Sequence, residues 1–122
     1  MGCMSATIYH NPRCSKSRGA LEILKNHFPE EEIHEVRYLQ NPPTANTLMQ
    51  ICSLLNLKPV EIIRSGEAIF KELSLNKNDQ RSDEEWCEIL ASNPKLIERP
   101  IVVINNKAVI ARPPEKVLQI LD

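Results

Sequence analysis

In the stretch from Tyr9 to Arg18, YHNPRCSKSR, a single cysteine, Cys14, stands among Arg13, Lys16 and Arg18, with His10 upstream and Pro12 between them. A cysteine acts as a nucleophile through its thiolate, and cationic neighbours or a helix N-terminus pull its pKa below the free value of ~8.5. The flanks are polar and basic, which suits an accessible, reactive thiol. The alternative for Cys14 is a small buried hydrophobe.

The elements around this stretch decide whether it can be a site. Residues 6 to 9, ATIY, predict a strand, and 15 to 28 a helix, with Ala20, Leu21, Ile23, Leu24 and Phe28 at helical spacing. Cys14 then falls in the turn between them, where the first helical N–H groups lack partners and carry partial positive charge. Ser15 or the Asn-Pro turn is the expected cap. An anion is favoured at the same place, so thiolate and oxyanion site coincide. Residues 33 to 39, IHEVRYL, alternate as a half-buried strand does. Beyond NPPT, Thr44 is expected to cap a helix with Leu48, Ile51, Cys52 and Leu55 on one face, and Pro59 to open a short helical turn. Ser82 and Glu85 form a capping-box pattern before a stripe of Trp86, Ile89 and Leu90. At the end, two β-branched runs flank Asn105-Asn106 as in a hairpin. PPEKVLQILD predicts a last helix burying Val117, Leu118 and Leu121. The order is that of an α/β fold with one mixed sheet.

Composition narrows the function classes. A chain of 122 residues with 42% apolar and 25% charged residues fits one domain over 1–122. Aromatic content is only 4%, so aliphatic side chains must build the core. A net charge of −1 with interspersed signs gives no footprint for nucleic acid or an anionic membrane. No apolar run is long enough for a membrane span, and no secretory leader is visible, so a cytoplasmic protein with reduced thiols is expected. The cysteines at 3, 14, 52 and 87 are irregularly spaced, with no C-x-x-C, so no metal site is expected. Cys52 is expected in a core, Cys87 partly buried, Cys3 in a frayed terminus, and His27 and His34 at the surface.

The segments YHNPRCSKSR, IIRSGE at 62 to 67, NPKLIERPIVV at 93 to 103 and ARPPEKVLQIL at 111 to 121 closely resemble the motifs of the glutaredoxin-linked arsenate reductase family, in the family order. The cysteine, five residues, arginine loop of the low-molecular-weight phosphatases is absent, because position 20 is alanine. The resemblance implies a thioredoxin-like four-stranded mixed sheet with a helical insertion, about 44–93, between the second and third strands. It implies Cys14 as nucleophile and His10 as a neighbour that tunes it. It makes Arg64, Arg99 and Arg112 the arginines that hold arsenate, and Pro100 the cis-proline facing the cysteine. Each arginine has a plainer alternative: a cation at a helix C-terminus for Arg64, solvated loop charges for Arg99 and Arg112. His10 has one too, as a strand-end or backbone partner. The chemistry of a planar guanidinium, which pairs with tetrahedral oxyanions through two hydrogen bonds, favours the site.

The implied activity is reduction of arsenate, or a similar oxyanion, to arsenite through a thioarsenate on Cys14. Glutathione is the implied co-substrate and glutaredoxin the partner, with no bound cofactor and a monomeric chain. The other role known in this superfamily is a redox-linked regulator that binds RNA polymerase. Such regulators typically carry C-x-x-C, whereas this chain reads Cys14-Ser15-Lys16-Ser17.

Overall fold

The structure, a computed structural model, describes residues 5–121. Cys3 lies outside the described residues. The chain falls into two units, one made of the described residues up to Asn41 and from Arg99 onward, the other of Pro42–Glu98.

The first unit is built on a four-stranded sheet in the order β2-β1-β3-β4. Strand β1 is Ala6–Tyr9, β2 Ile33–Val36, β3 Ile101–Ile104 and β4 Lys107–Ile110. β1 runs parallel to β2 and antiparallel to β3, and β3 is antiparallel to β4. Along β1, Ala6 and Ile8 are fully buried while Thr7 and Tyr9 are half-buried, the alternation a pleated strand imposes. β3, flanked on both sides, buries Ile101, Val102 and Ile104. The edge strand β2 exposes His34 and Glu35, and polar groups there discourage pairing with another chain. The hairpin turns at Asn105, whose φ of 56° is one that asparagine tolerates better than most residues.

Helix α1, Ser15–His27, packs its Ala20, Leu21 and Leu24 into one cluster with Ala6, Ile8, Val102, Ile104, Val117 and Ile120. Gly19 permits a close approach: a Cβ there would meet Pro114 Cγ at 3.0 Å. The expected second strand ends early, at Val36. The Arg37 carbonyl instead accepts from the N–H groups of Gln40 and Asn41, at 2.9 and 2.8 Å, which turns the chain. The C-terminal segment is a 3₁₀ helix, Pro114–Ile120, not an α-helix. With three residues per turn, Val117 and Ile120 stack inward. Leu118, expected in the core, is 51% exposed.

The second unit is helical. It contains α2 (Ala45–Leu55), α3 (Ala68–Glu72) and α4 (Asp83–Ser92), with 3₁₀ turns at Pro59–Ile62 and Pro94–Leu96. Thr44 Oγ1 accepts from the Thr47 N–H at 3.2 Å, and Ser82 and Glu85 form a reciprocal capping box. α2 packs on α4 through Leu48, Ile51 and Cys52 on one side and Trp86, Cys87 and Leu90 on the other. Cys87 is fully buried, not partly, and Ile89 takes the half-exposed place. No helix among the described residues is long and apolar enough to cross a membrane.

The 3₁₀ register has a direct test. Ile120→Ala should cost about 2–5 kcal/mol in denaturant unfolding, as buried aliphatic truncations do. Leu118→Ala should stay within about 0.5 kcal/mol, as exposed positions do. An α-helical register would make Leu118 the costlier position.

Candidate active site

The strand directions gather the chemistry-bearing segments at one end of the sheet. Tyr9, the last residue of β1, pairs with Val36, the last of β2, and with Ile101, the first of β3. Ile101 in turn pairs with Ile110, the last of β4. The Cys14 turn, Tyr38, Arg99-Pro100 and Arg112 therefore all leave the sheet at that end. The Ala111 N–H donates to the Pro100 carbonyl at 2.8 Å, tying two of these segments together. The Arg99–Pro100 and Arg112–Pro113 peptides are both cis.

The turn after β1 is locked by its own polar groups. The His10 N–H continues the ladder to the Val36 carbonyl at 2.8 Å, and the Cys14 N–H donates to the Asn11 carbonyl at 2.9 Å. Ser17 is fully buried, and its Oγ accepts from the Asn11 N–H at 3.0 Å. The same oxygen shares a 2.7 Å hydrogen bond with His10 Nδ1. His10 is only 4% exposed. Burial lowers its pKa; Glu35 opposes that shift, while Arg37, Lys25 and Arg18 add to it. A neutral imidazole thus pins Ser17, and Ser17 pins the turn.

Cys14 itself is the N-cap of α1, with extended backbone (φ −95°, ψ 123°), in place of Ser15 or the Asn-Pro turn. Its thiol pKa is lowered. Burial is the largest single influence and opposes ionisation; the Ser17 N–H, the Arg99 side chain, the Lys16 N–H and the Arg99 charge together outweigh it. The cap forms no side-chain hydrogen bond of ordinary geometry, so the N–H groups act mainly through their field. The leading cation is Arg99, half-buried and distant in sequence. The basic neighbours that marked the motif serve otherwise: Arg13 and Lys16 are exposed, and Arg18 Nη1 donates to the Pro12 carbonyl at 2.9 Å.

Arg112 is exposed on the loop that leaves β4. Arg64 belongs to the helical unit, where its N–H donates to the Leu96 carbonyl at 2.7 Å. Its guanidinium pairs with Glu67 at 3.5 Å and Glu98 at 3.7 Å, after a 3₁₀ turn and not at an α-helix C-terminus. Sequence reasoning missed Tyr38. It sits in the turn after β2, fully buried, where the Arg99, Cys14 and Asn11 side chains act on its hydroxyl. Only the early end of β2 would have revealed it.

The arrangement is a thiol held toward its anionic form at a helix N-terminus beside a guanidinium, which suits attack on an electrophile bearing negative oxygens. The model of the ArsC family matches residues 9–120. The chain belongs to the ArsC family. A relative named arsenate reductase, from Haemophilus influenzae, is 41% identical over 97% of this chain and 100% of its own length. YfgD of Escherichia coli, described as uncharacterized, is 47% identical over 93% of this chain and 94% of its own. A solved structure titled arsenate reductase from Vibrio cholerae superposes with a TM-score of 0.89 at 42% identity, covering 98% of this chain and all of that one. The fold of this ArsC member is thus the thioredoxin-like mixed α/β fold.

The lowered pKa of His10 sets a pH dependence. In the unfolded chain a histidine gains its proton as pH falls through ~6.5, whereas the folded site resists it. The stability this confers is complete above that value and is lost progressively as pH falls toward the folded pKa. The urea midpoint of the wild type should therefore drop between about pH 7 and pH 5, and His10→Asn should flatten that slope. Parallel slopes in the two proteins would contradict a buried neutral imidazole.

Proposed function

We propose that the chain is an arsenate reductase that uses Cys14 as its nucleophile and takes electrons from glutathione and glutaredoxin. The observation that carries this reading is the lowered thiol pKa of Cys14 at the N-terminus of α1 beside Arg99. A thiolate there attacks arsenic(V). An arsenic–oxygen bond breaks, the oxygen leaves as water after protonation, and a thioarsenate remains on Cys14. Arg99 neutralises charge on the arsenate oxygens as they crowd the sulfur. Arg112 is assigned to the same anion on the family resemblance.

Reducing arsenic(V) to arsenic(III) takes two electrons, which two thiols supply by ending as a disulfide, so at least one thiol besides Cys14 must take part. The chain is poorly equipped to supply it. Ser17 stands where a C-x-x-C would place the second cysteine. Burial pushes the Cys52 thiol up to about 12 and the Cys87 thiol up to about 11, so neither is a ready nucleophile at neutral pH. Glutathione therefore bonds to the arsenic with loss of a second water. A glutaredoxin thiolate attacks the glutathione sulfur, forming a mixed disulfide as the arsenic–sulfur bond breaks and its electron pair stays on arsenic, now arsenic(III). Water then displaces Cys14, which returns as thiolate as arsenite leaves. The arsenate-binding half requires no bound metal or organic cofactor.

An arsenate-dependent assay of NADPH oxidation, coupled through glutathione, glutathione reductase and glutaredoxin, tests the reading. The wild type and a variant with Cys3, Cys52 and Cys87 all changed to serine should turn over, while Cys14→Ser should show only background. Thioredoxin as sole donor should support no turnover. Robust turnover with thioredoxin alone, together with an intramolecular disulfide to Cys14 in mass spectrometry, would overturn the donor assignment.

A further inference from the structure

Tyr38 is 1% exposed, and its buried hydroxyl makes no hydrogen bond of ordinary geometry, although the Arg99 and Asn11 side chains are near enough to act on it. A phenylalanine would fill nearly the same volume with no buried polar atom to satisfy, so a hydroxyl left without a well-formed hydrogen bond calls for a reason beyond packing. Its surroundings do. Tyr38 leaves the sheet at the end where β1 delivers Cys14 and β3 begins after Arg99. We propose that the Tyr38 O–H is an oxyanion-binding group of this site, a neutral donor to an oxygen of the tetrahedral anion that Cys14 attacks. The proposal rests on the oxyanion chemistry argued above.

A donor is what this phenol can be, and an acid is what it cannot. Its pKa is raised, chiefly by burial; Arg99 pulls it down, the Cys14 charge pushes it up, and the Asn11 side chain pulls it down. Release of its proton would set a phenolate beside a thiolate in a buried place. The O–H therefore stays intact when Cys14 ionises. A tetrahedral oxyanion offers more acceptor sites than one guanidinium can fill, and a hydrogen bond to a charged acceptor is stronger than one between neutral groups.

Tyr38→Phe removes the hydroxyl and little else. The test is protection of Cys14 against iodoacetamide by added arsenate, in the full chain without glutathione, with the alkylated peptide assigned by mass spectrometry. The arsenate concentration for half-protection should rise about tenfold in the variant, as expected for loss of a hydrogen bond to a charged group. Without arsenate, the pH profile of alkylation should match wild type, and the melting temperature should be equal or higher. Equal half-protection in the two proteins would overturn the proposal while leaving the oxyanion reading of Cys14 intact. An upward shift of the alkylation profile in Tyr38→Phe would place the hydroxyl on the sulfur instead, and a lower melting temperature would show that it has a partner in the fold; either result overturns the proposal. Wild-type protein that arsenate does not protect at all would remove both this assignment and the proposed activity.

Discussion

The sheet-bearing unit brings together groups that favour negative charge on one sulfur. A thiolate at Cys14 loses hydration as it is buried, and that loss is the largest influence on its ionisation. The N–H groups of Lys16 and Ser17 at the start of α1, with Arg99 beside them, reverse the balance. Both contributions depend on position to within a hydrogen bond's length, so the turn cannot be loose. Ser17, buried and bound to both His10 and Asn11, fixes it from within the helix. The central strand β1 fixes it from without, because its pairing with β2 and β3 sets where Tyr38 and Arg99 emerge.

What was legible in the sequence was local. Strand β1, helix α1, the Thr44 cap, the Ser82–Glu85 capping box and the Asn105 turn follow from residue types within a few positions of one another, and each formed where those signals lie. The thioredoxin-like order was legible because four separate segments resemble the motifs of one family and stand in its order. The rest depended on tertiary placement. The basic residues flanking Cys14 suggested the source of its activation, yet the leading cation is Arg99, which β3 brings from the far end of the chain. Tyr38 looked like the sixth residue of an alternating strand, until the Arg37 carbonyl was taken by the turn that follows. Leu118 looked buried because the pattern was read at 3.6 residues per turn, where the segment after Pro113-Pro114 winds at three.

The helical unit carries the same contrast between reactive and inert sulfur. Cys52 on α2 and Cys87 on α4 are buried side chains of one apolar interface, and each acts on the other's thiol. Desolvation there goes unopposed by helix N–H groups or an arginine, and both pKa values rise. The difference between these thiols and Cys14 is electrostatic environment, not residue type. Arg64, drawn between Glu67 and Glu98, shows that a motif arginine can also hold its own unit together.

The central claim is that the fold holds Cys14 toward its thiolate and that Arg99 supplies the leading positive charge. The pH dependence of Cys14 alkylation in unliganded protein measures this directly, with Arg99→Ala alongside wild type. The account predicts a wild-type midpoint clearly below the free-cysteine value of ~8.5, and an upward shift on removal of the guanidinium. A wild-type midpoint at or above that value, unmoved by Arg99→Ala, would contradict it.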